Sequence, residues 1–237
     1  MPPALASKAD IINFLIQARR YTSYLEICTR RTGGCFAQIA SDGLDRRHRL
    51  MYRCPFLYSD GSKIDFRVRG EDWRELLRKI RALDLSYDVI LVDPWHEYET
   101  SLRDLDAAST LLNPGGTIVV HDCLPPDERS ASPKPHRGAW CGVTFMAYVD
   151  FVNERRDVCY RTVDIDYGCG VIRKTDGNGL SSGSDVEKDR LLQGWRRLRH
   201  DAVASYRYLA AHRQTLLNLL SAEDFIALES VERSPAG

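Results

Sequence analysis

The chain has 237 residues, 43% of them hydrophobic and 28% charged, which is a globular composition with enough apolar material for one main core. Lysine plus arginine and aspartate plus glutamate both number 33, so no net charge draws the whole molecule to nucleic acid or to an anionic membrane. Seven cysteines stand singly at 28, 35, 54, 123, 141, 159 and 169; without CxxC spacing they read as reduced thiols of a cytoplasmic protein. The opening "MPPALASKADIINFLIQARR" has an apolar patch too short for a signal segment or a membrane span.

In chain order, Ile11, Ile12, Phe14, Leu15 and Ala18 recur at helical spacing, and Ser7 or Asp10 can cap the start. "SYLEIC" then predicts a buried strand, "TRRTGG" a glycine-bearing turn, and Cys35 to Ala40 a helix. "HRLMYRC" and "KIDFRVRG" are further strand candidates, followed by the helix "EDWRELLRKIRAL" with acids in its first turn.

The stretch "YDVILVDPWHEYETSLRDL" is more informative. Its apolar run reads as a buried strand that stops at Asp93, delivers Trp95, His96 and Glu97, and passes into a helix from about Tyr98 to Leu112. "NPGG" closes that helix, and "TIVVHDC" is a second buried strand ending in an acid, Asp122. Residues 124 to 139 carry four prolines and read as a long loop over the strand ends. A helix around Val143 to Asn153 leads to "VCYRTVDI" and "YGCGVIRK", which are so close together that only an antiparallel hairpin fits. Asp164 and Asp166 are read as shaping its turn.

These elements divide the chain into a domain over 1–174, a Gly/Ser-rich linker over 175–184 and a helical extension over 185–237. Leu191, Leu192, Trp195, Leu198 and Tyr206 give the extension an apolar face, expected to dock on the domain or on a second copy of the chain. Its arginines read as a solvated face, which leaves nucleic acid an unfavoured partner. Alternating strands and helices imply right-handed crossovers and a Rossmann-like α/β sheet, mostly parallel, with an antiparallel strand from the terminal hairpin. Ligands of such sheets bind beyond the carboxyl ends of the strands, where Glu26, Asp93 and Asp122 lie.

The segments "YLEIC", "YDVILVDPWHEYETSLRDL", "LNPGGTIVVHDCLPP" and "AWCGVTFMAYVDF...VDIDYGCGVI" together resemble a class I S-adenosylmethionine-dependent methyltransferase, of the branch associated with sugar and natural-product biosynthesis. The resemblance implies a seven-stranded sheet and adenosylmethionine as methyl donor. In "LEICTRRTGG" it implies that Glu26, Gly33 and Gly34 meet the cofactor, with the N-terminus of the next helix facing its carboxylate. It also places Glu71 and Asp72 toward the adenine; a first-turn helix role suits those two acids equally well. Cys28 stands where the family usually has glycine, and "MYRCP" lacks the acid that usually holds the ribose.

The chain is similar, too, to the metal-dependent O-methyltransferases typified by the catechol enzymes. Asp93 and Asp122 match their strand-end acids and imply a Mg²⁺ site, with Asp93 also near the cofactor. His96 matches the general base, and an imidazole, ordinarily titrating near neutrality, suits that task. Cys123 stands where those relatives often carry Asn or Asp as a third oxygen ligand. The same residues also admit a plainer reading, with Asp93 as a helix cap, His96 on the surface and Asp122 closing a turn. Trp95 and Trp140 suit either a substrate platform or the core. Two functions follow: O-methylation of a hydroxyl on a sugar or small natural product, or an inactive methyltransferase-like scaffold.

Overall fold

The computed structural model describes residues 4–29, 34–52, 66–67, 73–175 and 186–231. Helix α1 (Lys8–Arg19) starts at Ser7, whose side chain accepts from the Asp10 backbone N–H while Asp10 answers the Ser7 backbone, a reciprocal capping box. Strand β1 (Ser23–Thr29) follows. The helix expected over Cys35 to Ala40 is replaced by a single 3₁₀ turn, Phe36–Gln38. Its apolar residues, Cys35, Phe36 and Ile39, are buried without a helix to carry them. Six residues are too few to repay helix nucleation once tertiary contacts satisfy the apolar side chains.

Strands β2 (Arg46–Tyr52) and β3 (Phe66–Arg67) lead to helix α2 (Trp73–Ala82). Next come β4 (Tyr87–Asp93), α3 (Tyr98–Leu111) and β5 (Leu112–Val120), so the "NPGG" turn both stops α3 and opens the following strand. Helix α4 (Thr144–Glu154) precedes the hairpin of β6 (Val158–Val163) and β7 (Cys169–Lys174). The extension forms α5 (Val186–Leu198), α6 (Ala202–Leu217), the two-residue strand β8 (Leu219–Leu220) and α7 (Ala222–Val231).

The sheet runs β3-β2-β1-β4-β5-β7-β6-β8. The expected seven strands are present with β7 antiparallel to β5 and β6; the eighth, from the extension, pairs parallel with β6. Only two residues long, β8 has no periodicity that a sequence could show.

Side-chain alternation sorts the sheet into two faces. Leu25, Ile27, Ile90, Val92, Ile118 and Val120 pack with α3, α4 and the extension's Leu191, Trp195 and Leu216. Tyr24, Val89, Leu91, Val119 and Val171 pack with Ile11, Ile12 and Leu15 of α1 and Phe225 of α7. The extension therefore covers one face with α5 and α6, adds β8 to the sheet edge, and reaches the other face with α7. There Glu229 takes Arg19 at 2.8 Å and pairs with Arg173 as well. Helix α4 is buried from Thr144 to Val152, which is why "TFMAYVDFV" is apolar nearly all round. The one acid of that buried stretch, Asp150, accepts from the Tyr98 hydroxyl at 2.8 Å and the Trp195 indole N–H at 2.7 Å. Among the described residues no helix is long and apolar enough to cross a membrane.

Candidate active site

Parallel strands β4 and β5 end side by side, with Val92 opposite Val120. Asp93 is the last residue of β4, and Asp122 lies two residues beyond β5 with φ +61°, a left-handed conformation that Asp tolerates better than most side chains. Both are buried, as are His96 and His121. The donor atoms of Asp93, His96 and Asp122 lie within 4.8 Å of one another. His96 Nε2 lies 3.0 Å from Asp122 Oδ2, though neither of its ring nitrogens makes a hydrogen bond of good geometry among the described residues. Far from lying on the surface, the imidazole is walled by Trp140, whose ring centre is 4.8 Å away. Trp140 itself packs on Trp95 at 5.2 Å and donates its indole N–H to the Ser132 carbonyl at 2.7 Å.

Two residues in this cluster carry no warning in the local sequence. Strand alternation puts Asp93 and His121 on the face covered by α1, and Lys8, the first residue of that helix, lies with its ammonium 2.7 Å from Asp93 Oδ2 and 3.3 Å from His121 Nδ1. Asp166, expected only to shape a turn, does have φ +46°, but it also accepts from the Lys8 backbone N–H at 2.9 Å and lies 3.3 Å from His121 Nε2. His121 Nδ1 is 3.0 Å from Asp122 Oδ2 and 3.6 Å from Asp93 Oδ1.

Charge complementarity sets the protonation states. Burial alone would push the Asp93 carboxyl up and the Lys8 ammonium down, but each holds the other charged, so Asp93 lies below and Lys8 above its ordinary range. Burial likewise opposes charge on Asp122 and His121; the attraction between them prevails, which keeps Asp122 well below the carboxylate range and His121 well above that of a free imidazole.

Mg²⁺ is the metal expected of this donor set. Asp93, His96 and Asp122 are close enough to share one ion. However, Lys8 takes Asp93 Oδ2, and His96 and His121 both face Asp122 Oδ2. The Cys123 thiol is turned into the core and donates to the Val120 carbonyl at 3.4 Å. A hard ion wants oxygen ligands at about 2.0–2.1 Å in near-octahedral order, and with Lys8 in place these residues do not fit one.

Glu26, expected at the carboxyl end of β1, lies mid-strand, level with Leu91, and is fully buried, with one oxygen accepting from the Tyr24 hydroxyl at 2.9 Å and Oε1 without a hydrogen-bond partner among the described residues. Burial pushes its carboxyl up to about 7, against the pull of the Tyr24 bond. A side chain at Gly34 would meet nothing within 4 Å among the described residues. Cys28, level with Asp93 in the sheet register, is buried. Three expected cofactor residues, Gly33, Glu71 and Asp72, lie outside the described residues. The expected helix N-terminus facing the cofactor is not formed, since the 3₁₀ turn Phe36–Gln38 stands in its place.

The order β3-β2-β1-β4-β5-β7-β6, with a reversed β7 and a polar cluster at the carboxyl ends of β4 and β5, defines a Rossmann-like sheet of the methyltransferase kind. A family described as "Methyltransferase domain" matches residues 16–123, from α1 through the acid after β5. Among solved structures the fold is similar to that of a proposed caffeoyl-CoA O-methyltransferase from Staphylococcus aureus, with TM-score 0.51, 18% identity, and coverage of 73% of this chain and 86% of that one. An O-methyltransferase from Bacillus cereus, solved with SAH, gives TM-score 0.51, 14% identity and coverage of 73% and 83%. A comparison with curated proteins finds no match. Over residues 16–123 the chain is thus similar to a methyltransferase domain, and its fold is that of these O-methyltransferase structures.

Proposed function

We propose that the protein transfers a methyl group from S-adenosylmethionine to a hydroxyl of a sugar or small natural product, with His96 as general base. The observation that carries this reading is the buried His96 imidazole, with Nε2 3.0 Å from Asp122 Oδ2 and neither ring nitrogen hydrogen-bonded among the described residues. A carboxylate facing one ring nitrogen favours the tautomer protonated there and leaves the other lone pair to accept a proton. In the transfer, the acceptor oxygen forms a bond to the methyl carbon, the carbon–sulfur bond breaks with its electrons passing to sulfur, and the hydroxyl proton goes to His96 Nδ1. Trp140 and the adjoining Trp95 fix the ring and narrow the space around it. Glu26 and Asp93, with Gly33 and Gly34, would hold the cofactor, and Glu71 and Asp72 would meet its adenine. The B. cereus structure with SAH supports the choice of cofactor.

The test is a thermal melt with adenosylhomocysteine, followed by methyl-transfer assays over a panel of sugars and hydroxylated natural products. Binding to the native state must raise the melting temperature; no rise would sink the cofactor assignment. With an acceptor in hand, His96→Ala should slow single-turnover transfer by about 10²- to 10⁴-fold while cofactor affinity stays near that of the wild type. Full rate in that variant would remove His96 from the mechanism.

A further inference from the structure

Lys8 is built into the site rather than laid over it. Its backbone N–H is fixed to Asp166 on the β6–β7 turn at 2.9 Å, its helix is started by the Ser7–Asp10 box, and its side chain is largely buried, with the ammonium 2.7 Å from Asp93. Two adjacent buried carboxylates repel each other and need a positive charge between or beside them. In the chain's own residues that need is met at Asp122 by His121 and at Asp93 by a side chain 85 positions away, Lys8.

We propose that Lys8, and not a divalent ion, is the resident cation of the Asp93–Asp122 pair, so that this methyltransferase site works without metal and Lys8 excludes one. Lys8 is thereby a positioning residue: it neutralises Asp93, which leaves Asp122 to orient His96. An ion bound by Asp93 and Asp122 would have to displace the ammonium from Asp93 Oδ2, since ion and ammonium claim the same oxygen. The functional part of this inference rests on the methyl-transfer reading above. The exclusion of metal does not, and it is measured without any acceptor.

The experiment is a titration of the full chain with Mn²⁺, read by electron paramagnetic resonance and calorimetry, on wild type, Lys8→Met and Lys8→Met/Asp122→Asn. Methionine keeps an unbranched stem of similar length and removes the charge. Wild type should show no stoichiometric Mn²⁺ site. Lys8→Met should gain one, binding at least about tenfold more tightly, and the added Asp122→Asn change should abolish it. One tight Mn²⁺ per wild-type chain, lost in Asp93→Asn, would overturn the proposal without any test of methyl transfer. A folded Lys8→Met protein that gains no site would overturn it too, because Lys8 would then not be what keeps metal out. Should Lys8→Met fail to fold, Lys8→Gln, which retains hydrogen-bonding capacity without charge, carries the same prediction.

Discussion

Gly142 presses against His96: a methyl group built on Gly142 would overlap the His96 carbonyl oxygen and Cβ, and the glycine has φ +56°. The next residue, Val143, donates its N–H to that same carbonyl at 2.9 Å. The start of α4 is thus fastened directly to the backbone of the proposed base, and only glycine fits the join. Gly142→Ala should lower stability by about 1–3 kcal/mol and push the His96 backbone outward. Transfer rate should fall while the affinity for adenosylhomocysteine changes little. Equal melting temperature and equal rate in wild type and variant would show that the join tolerates a side chain.

Glu26 makes stability depend on pH. Its folded pKa is about 7 against an ordinary 4.5. Between those values the native chain keeps a proton that the unfolded chain has released, so stability is highest at the acid side and falls as pH rises through the window. The loss is on the order of 3 kcal/mol by the time the group is ionised in both states. Glu26→Gln removes the titration. The variant without cofactor should melt above wild type at about pH 8, with the difference shrinking toward about pH 5. A difference in melting temperature that does not change with pH would sink this account.

Trp195 tests how far the extension is part of the fold. It is 1% exposed, packs on Phe145 with ring centres 6.3 Å apart, and holds the buried Asp150. Truncation to alanine should cost about 3–5 kcal/mol from lost burial and the cavity left behind. Trp195→Phe keeps most of the volume but deprives Asp150 of one donor, at a cost of about 1–3 kcal/mol. Urea midpoints of the two variants, compared with wild type, give both values. A Trp195→Ala protein that unfolds at the wild-type midpoint would mean that α5 is a loose appendage.

The amino-acid sequence by itself determined the sheet and its polar end. Val89 to Val92 and Thr117 to Val120 are short apolar runs that have to be buried, and each is followed by an acid at the point where the strand leaves the sheet. That local pattern located Asp93, His96 and Asp122 before any contact was known, and the nearness of "VCYRTVDI" to "YGCGVIRK" required the antiparallel hairpin. Tertiary structure alone decided which other groups join them. Strand alternation turns Asp93 and His121 toward α1, where Lys8 waits, yet in sequence Lys8 is one lysine at a helix start, like many that face water. The turn carrying Asp166 reaches His121 for the same reason. The helix expected after β1 reduced to a 3₁₀ turn because Cys35, Phe36 and Ile39 are buried by packing against α1 and the sheet, with no need of a regular helix. Periodicity reports what a segment must hide from water; which distant charge comes to lie against a buried carboxylate depends on chain packing, and no local spacing records it.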